Sequence, residues 1–247
     1  MPYYKIHPMV TVETPLAKSV FTYLLYPGEM LTVPAVSFLI EGGKKAIIVD
    51  SAGSQEDMRN NSQFGAPWRH VHAFEDLLGK HGLTPDDVEI VIQTHLHFDH
   101  VLNTQKCRNA EIIVQEDELR HAGAPHPITA KMYRWFNEHG KDLNYHPVRG
   151  EYEVAPGINL VPVPGHTEAC QAVVVKTAQG AAVISGFCSI DINFNPPPEI
   201  AAYQPVICPG IHLNAELAYA STLKAKRLGD FVIPLHEPRL KEMQSIG

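Results

Sequence analysis

Three histidines and an aspartate fall within the stretch Thr94-His95-Leu96-His97-Phe98-Asp99-His100. The run before it, Val88-Glu89-Ile90-Val91-Ile92, is apolar and rich in β-branched residues, which predicts a buried strand that ends at the cluster. In α/β proteins, ligand sites form in crevices beyond the strand ends. Imidazole and carboxylate groups are ligands that suit Zn²⁺ and similar divalent ions. The order His-x-His-x-Asp-His therefore predicts a metal site rather than a polar loop that happens to be rich in histidine.

Length and charge limit the class of protein. The chain has 247 residues, 45% of them hydrophobic, which suits one large globular domain or at most two small ones. We expect a single domain over 1–247. The net charge of −7 and the lack of a basic run argue against a nucleic-acid partner. No apolar run approaches the ~20 residues of a membrane span, and the N-terminus lacks the apolar segment of a signal peptide. We therefore expect no membrane-spanning helix and no signal peptide.

Cysteine usage indicates the redox compartment. The four cysteines form no Cys-x-x-Cys pair and no regular spacing. This pattern is typical of a reducing compartment without a disulfide framework, so we expect a cytoplasmic protein. They are Cys107, Cys170, Cys188 and Cys208.

The first half of the chain predicts strands interrupted by loops. Residues 1–35 contain several prolines and are expected to be irregular, with a short strand at 21–25. Two apolar runs, 36–40 and 46–50, flank Gly42-Gly43 and predict a hairpin. A loop at 54–67 and a helix from Trp68 are expected to follow. Asp50 closes the second strand of the hairpin, either as a turn former or as a partner of the site.

The second half repeats this layout of strand, polar strand-end residue and helix. Residues 121–149 predict a helical excursion that covers the site, and strands are expected from 152 to 185. Residues 193–211 are proline-rich and predict a surface loop. A helix is expected to begin at Asn214, and a last strand at 231–235 to end beside His236. Two halves of this kind predict two packed sheets with helices on the outer faces.

The motifs together resemble the metallo-β-lactamase superfamily. Besides the His-x-His-x-Asp-His motif, the resemblance rests on Pro164-Gly165-His166-Thr167 and on the strand-end His236. Residues 143–145 and 150–157 are similar to its N-acyl-homoserine lactone lactonase branch. The resemblance covers roughly residues 25–240 and implies an α/β (α+β) fold, a four-layer αββα sandwich with a two-metal site between the sheets.

The resemblance also implies a set of metal ligands. Two divalent ions are expected, and the histidine at position 97 favours a hydrolytic zinc-type site over the di-iron oxygen reductases, which carry glutamate there. Asp50 would lie just outside the ligands and orient them. The ligands of the first metal would be His95, His97 and His166. The ligands of the second would be Asp99, His100 and His236.

The chain departs from the family at one place. An aspartate that bridges both metals is expected after the strand near 183–185, and the segment here reads Ser185-Gly186-Phe187-Cys188-Ser189-Ile190-Asp191. Cys188 is the first candidate to replace it, since some metallo-β-lactamases use a cysteine thiolate here, which favours Zn²⁺ over Mn²⁺. A buried structural cysteine is the alternative. Asp191 is the second candidate, or it replaces the tyrosine with which the lactonases contact the lactone carbonyl.

The metal motifs, together with the resemblance to the lactonase branch, imply a metal-dependent hydrolase that opens a lactone or related cyclic ester by attack of a metal-bound hydroxide. Asp99 is expected to pass the proton to the leaving alkoxide, with Asp191 a weaker candidate for that catalytic role. Phe98 would contact the apolar part of the substrate, or would simply belong to the core. The partner is a small-molecule substrate, with no nucleic acid or membrane, and the protein is expected to be a monomer or homodimer.

Two other functions stay open from the sequence. A hydrolase of thioesters or of cyclic amides such as β-lactams is the first alternative, and Cys188 supports it weakly. A binding module with an incomplete metal complement is the second, because the bridging aspartate is missing.

Overall fold

A computed structural model describes residues 3–62 and 65–247 of the chain. The strands in these residues belong to two sheets. Their bounds are β1 (Lys5–Ala17), β2 (Met30–Glu41), β3 (Ile47–Val49), β4 (Arg69–His70), β5 (Ile90–Ile92), β6 (Glu111–Gln115), β7 (Tyr145–Val148), β8 (Tyr152–Ala155), β9 (Ile158–Pro162), β10 (Gln171–Thr177), β11 (Gly180–Ile184) and β12 (Phe231–Ile233).

The helices are short except for the last. They are α1 (Gln55–Asn61), α2 (Phe74–Gly79), α3 (Phe98–Val101), α4 (Glu116–Gly123), α5 (Asp191–Phe194), α6 (Pro198–Ala201) and α7 (Ala215–Arg227). Single 3₁₀ turns and one π-helical turn join them, at Lys18–Val20, Pro85–Asp87, Thr104–Lys106, Ala130–Tyr133, Phe136–Gly140 and Pro238–Glu242. In the described part of the chain, no helix is long and apolar enough to cross a membrane.

The two sheets face each other across the main core. The larger sheet has seven strands in the order β4-β1-β2-β3-β5-β6-β7, and the smaller has five in the order β12-β11-β10-β9-β8. Buried side chains of both inner faces meet between them, among them Phe38 and Ile92 from the larger sheet and Leu160, Val173 and Ile184 from the smaller. Burial of this apolar surface, at about 25 cal/mol per Å², is the main force that holds the layers together.

Helices cover both outer faces. Phe74 and Leu78 of α2 pack with Ile48 and Val91 behind the larger sheet. Ala225 of α7 packs in an apolar cluster with Val183 behind the smaller sheet. The predicted α/β (α+β) class and four-layer αββα sandwich are therefore confirmed.

The topology gathers the motif loops at one edge of the sandwich. Strands β3, β5 and β6 are parallel, as are β11 and β12, so the loops that follow β5 and β12 emerge at strand carboxyl ends. The backbone N–H of Gln171 donates to the carbonyl of Thr94 at 2.9 Å, which ties the start of β10 to the loop after β5. The two sheets are thus joined by hydrogen bonds beside the motif as well as by the core.

The prediction of an irregular segment at 1–35 is wrong for 5–17 and 30–35, which belong to β1 and β2, and holds for 18–29 apart from one 3₁₀ turn. Strand β1 pairs with β2 along its length, and no strand forms at 21–25. Prolines suggested a loop, but β1 pairs with β4 only at Val12 and Glu13, so Pro8 and Pro15 are accommodated beside an unpaired edge.

Other local predictions need correction. Helix α1 lies in the expected loop 54–67, of which Gln63 and Phe64 fall outside the described residues, and the helix expected from Trp68 begins only at Phe74. Segment 121–149 holds short helical turns as expected, but also strand β7, which was not predicted. The hairpin around Gly42-Gly43, the strands from 152 to 185 and the helix capped by Asn214 are confirmed.

We expect Phe38→Ala to lower the free energy of unfolding by about 3–5 kcal/mol, because this fully buried ring fills the space between the sheets. Urea denaturation followed by circular dichroism measures the change. Tyr203→Ala is the matched control, since its side chain is 67% exposed, and should change stability by less than about 0.5 kcal/mol. Equal effects in the two variants would contradict this account of the core.

Candidate metal centre

The motif side chains converge from three separate segments of the chain. His95 and His97 lie in the turn between β5 and α3, and Asp99 and His100 lie in α3. His166 lies in the loop between β9 and β10, and His236 follows β12. In the described residues their ligand atoms form two groups within which all atoms lie less than 4.8 Å apart, namely His95–His97–His166 and Asp99–His100–His236.

The first group consists of three buried imidazoles. The Nε2 atoms of His95 and His166 face each other at 3.3 Å. Burial, together with the neighbouring histidines, holds the pKa values of His95 and His97 well below the usual range, and burial lowers the pKa of His166 to about 4. Neutral imidazoles that turn their lone pairs toward one point are the form that a divalent metal requires.

The second group surrounds the carboxylate of Asp99. Its Oδ2 lies 3.6 Å from Nε2 of His100 and 3.8 Å from Nε2 of His236, which is too far for a hydrogen bond. Ligand atoms that each lie about 2.0–2.2 Å from one tetrahedral Zn²⁺ are about 3.3–3.6 Å apart. The spacing therefore fits an ion between the side chains better than it fits direct contacts.

Acceptors outside the cluster orient the rings. The Nδ1 atoms of His166 and His236 donate to the carbonyls of Ile211 and Pro34 at 2.7 and 3.0 Å. Nδ1 of His100 donates to Oδ2 of Asp50 at 2.8 Å. With the proton on Nδ1, the Nε2 lone pair of each ring points into the cluster, as in metal sites where an outer partner sets the tautomer.

Asp50 occupies the position just outside the cluster that the resemblance implied. Its buried carboxylate accepts hydrogen bonds from the backbone N–H and the hydroxyl of Thr94, both at 2.8 Å, as well as from His100. Because that hydroxyl proton points to Asp50, the Thr94 oxygen accepts from Nδ1 of His95 at 3.0 Å. Of the two roles left open for Asp50, these contacts favour orientation of the site. The residue also turns the chain, with φ at +54°.

Glu118 is a component of the site that the sequence reasoning did not single out. This fully buried carboxylate of α4 accepts from the backbone N–H groups of Leu96 and Ala169 and from the hydroxyl of Thr167, which belong to the two histidine loops. Tyr133 also donates to it at 3.3 Å. Burial raises the pKa of Glu118. In the sequence, Glu118 shows only as an acidic residue on the inward face of a helix.

The structure does not bring Cys188 into either ligand group. The thiol lies among apolar residues that include Phe21 and Val33, and its Sγ faces the carbonyl of Val20 at 3.9 Å. Burial, and then the charge of Asp99, raises the pKa of Cys188 well above its usual value. These surroundings favour the structural alternative over the thiolate ligand.

Asp191 also lies apart from both groups. Its carboxylate contacts Arg239 at 3.3 Å and accepts from Asn195 at 2.9 Å, and it is 42% exposed. As the first residue of α5 it is turned toward solvent and a cation, so the geometry does not support a bridging or catalytic position for it.

The turn after β11 has no room for a side chain at Gly186. Gly186 has φ at +79°, and a Cβ there would lie 2.0 Å from the carbonyl oxygen of Gln171. The next ring, Phe187, packs on Phe194 behind the smaller sheet. Among residues 3–62 and 65–247, no side chain belongs to both ligand groups.

A narrow cavity of about 40 Å³ opens beside the second group. Asp99 and His236 form its polar end, and Phe98 is one of its apolar walls. The Phe98 ring also packs in the cluster of buried residues around α3 and α4, so both roles considered for it fit its position.

An αββα sandwich with two histidine-rich groups at its strand ends defines the class of metal-dependent enzymes to which the resemblance pointed. The sequence profile of the metallo-beta-lactamase superfamily matches residues 31–186, and the chain belongs to this superfamily.

Its relatives include lactonases. The chain is 29% identical over 200 residues to the N-acyl homoserine lactonase of Bacillus thuringiensis, a match that covers 73% of this chain and 74% of the relative. The structure of a quorum-quenching N-acyl homoserine lactone hydrolase is 26% identical, with a TM-score of 0.72 over 97% of this chain and 94% of that one.

The fold also matches an N-acyl homoserine lactone hydrolase that has the product N-hexanoyl-L-homoserine bound at its catalytic metal centre. The TM-score is 0.75 at 23% identity, over 98% of this chain and 96% of that one. The similarity to the lactonases at 29% and 26% identity confirms the resemblance to the lactonase branch.

We expect Glu118→Gln to destabilise the protein by about 1–3 kcal/mol and to weaken metal retention. The amide has one acceptor oxygen, so a buried backbone N–H of Leu96 or Ala169 loses its partner. Urea denaturation and zinc retention during dialysis measure the two effects. Asp117→Asn, an exposed carboxylate on the same helix, is the control and should change neither. If both variants keep the metal equally, Glu118 does not position the loops.

We expect Cys188→Ala to leave the metal content unchanged, because the thiol faces a carbonyl and apolar side chains. Elemental analysis of the purified variant measures this directly. His166→Ala is the matched comparison and should lower the metal content. A loss of metal in the cysteine variant would make Cys188 the ligand that replaces the missing aspartate.

Proposed function

We propose that this chain is a metal-dependent hydrolase that opens a lactone or a related cyclic ester. The observation that carries the proposal is the convergence of six ligand side chains into two adjacent groups, in which backbone carbonyls outside the cluster orient the rings of His166 and His236. Similarity to N-acyl homoserine lactonases directs the proposal to lactones.

We propose two divalent ions at these groups, with Zn²⁺ favoured. The donor sets fit, because three imidazoles in one group, and two imidazoles with one carboxylate in the other, are common zinc ligands. When bound, such a pair of ions lowers the pKa of water toward 7 and polarises a substrate carbonyl. The presence of six candidate ligands in two groups argues against the alternative of a metal-depleted binding module.

The chain's own residues would position the ester and handle the proton. Asp99 is the carboxylate of the cluster that faces the cavity, and its side chain is 16% exposed, so it can pass a proton to the leaving alkoxide. Asp191 does not share this role, because it is paired with Arg239.

The cavity supplies the apolar part of the site. Apart from its polar end, it is lined by large apolar side chains, among them Phe21, Trp68, Phe98 and Met132. Pockets of this kind bind the apolar portion of a ligand while a few polar groups fix its orientation. Met132, in the 130–133 turn, lines one wall of the cavity.

We further propose a cytoplasmic enzyme that acts on a small molecule as a monomer or homodimer. All four cysteines are free and buried in the structure, which suits a reducing compartment.

A substrate panel with and without chelator tests the proposed function. The zinc-loaded protein should open N-acyl homoserine lactones or simpler lactones, lose this activity in a chelator, and regain it when Zn²⁺ is returned. A pH indicator follows the released acid. His166→Ala should lower the rate by at least about 100-fold, as expected when a catalytic centre loses a ligand, whereas His139→Ala, which is 59% exposed, should not.

Two outcomes would contradict the proposal. Turnover that does not respond to the chelator would exclude the metal centre from the reaction. Faster turnover of nitrocefin or of an acyl thioester than of every lactone would assign the site to the alternative class of substrates.

A further inference from the structure

A second cluster of metal-ligating side chains lies at the opposite end of the larger sheet. His7, Glu41 and His81 place one ligand atom each within 4.8 Å of one another. Glu41 closes β2 at the end remote from Pro34, whose carbonyl contacts His236 of the candidate metal centre. The two sites therefore share no residue, and they contact the same strand at different positions.

The cluster is assembled from distant parts of the chain. Lys5 pairs with Glu41 and His7 with Leu39 in the β1–β2 ladder, so His7 and Glu41 are diagonal neighbours on one face. His81 comes from the turn after α2, and its ring lies 4.4 Å from that of His7. Strand pairing and the packing of α2 together hold the three groups in place.

The orientation of His7 follows the pattern of the candidate metal centre. Its Nδ1 donates to the backbone carbonyl of Gln244 at 3.0 Å, and its Nε2 donates to Glu41, so a metal ion bound here would take the place of the proton on Nε2. Nε2 lies 2.9 Å from Oε2 of Glu41. An outer carbonyl that sets the tautomer in this way is characteristic of histidines that bind metals.

The surroundings make the cluster both ordered and accessible. The side chain of His7 is 12% exposed and that of Glu41 is 56% exposed. His81 lines the grooves on both sides of the cluster, and Lys80 and His72 line one of them. Two imidazoles and a carboxylate leave one tetrahedral position open to water from such a groove.

We propose that His7, Glu41 and His81 form an additional divalent-metal site that takes Zn²⁺ in a structural role. The ion would link the β1–β2 ladder to the end of α2 and, through the Gln244 carbonyl, to the C-terminal segment. That segment already bonds to β1 between Ile6 and Ile246. Catalysis does not pass through this site.

Zinc stoichiometry tests the proposal. The full chain is stripped of metal, loaded with Zn²⁺, passed through a desalting column and measured by elemental analysis. His81→Ala and Glu41→Gln should each bind one zinc fewer than the wild type. The test compares the zinc content of each variant with that of the wild type, and the expected difference is one ion per chain. Incomplete loading of the candidate metal centre affects both proteins equally and does not change this difference. His70→Ala, an exposed histidine on β4, is the control and should match the wild type.

Release kinetics and stability provide independent readouts. Because Glu41 is exposed, a dilute chelator should remove one zinc in a fast phase that is absent from His81→Ala. Zinc should raise the melting temperature of the wild type more than that of Glu41→Gln, a conservative surface change that should leave the fold intact. Lactone opening by His81→Ala should be unchanged.

The stoichiometry can also overturn the proposal. Equal zinc content in the wild type, His81→Ala and Glu41→Gln would show that His7 and Glu41 form only a hydrogen-bonded pair. Zinc that is weakly retained by every variant, His70→Ala included, would be adventitious binding only. Neither outcome would affect the lactonase proposal, because His166→Ala tests that separately.

Discussion

The buried carboxylate of Asp50 is the interaction on which the histidine-rich turn depends. It accepts three hydrogen bonds, two from Thr94 and one from His100, at a position with no exposure to solvent. In this low-dielectric environment each unpaired donor would cost about 1–3 kcal/mol, so the turn has one favourable arrangement. Aspartate tolerates the left-handed backbone conformation there better than most residues do. The same bonds set the tautomers of His95 and His100, and thereby direct their lone pairs into the cluster.

A second set of buried polar contacts joins the two halves of the chain. Glu118 binds the loop that carries His97 and the loop that carries His166, and Gln171 bonds to the backbone of Gln93 and Thr94 across the sheets. These groups are satisfied only when the sheets are packed in register. The geometry of the ligands is therefore linked to the packing of the main core.

Much of the fold could be predicted because its signals are local. Glycine turns, alternating strands and the Asn214 cap each act over a few residues, and the structure has those elements. The expectations that were wrong concern elements stabilised by distant partners. Strand β1 contains Pro8 and Pro15 and is stabilised by its pairing with β2. In the same way, the short strand β7 depends on β6.

The candidate site likewise contains some features that local sequence specifies and others that depend on distant contacts. The sequence alone specifies which side chains can bind a metal and groups four of them, because His95, His97, Asp99 and His100 lie within one turn of chain. Only the packing of the sheets brings His166 and His236 to them, places Glu118 between the loops, and turns Asp191 toward Arg239 and Cys188 toward Val20. The cluster of His7, Glu41 and His81 likewise exists only in the folded chain. The physical reason is that spacing along the chain determines which residues of one turn can contact each other. Contacts between distant segments follow instead from the burial of apolar surface that packs the two sheets together.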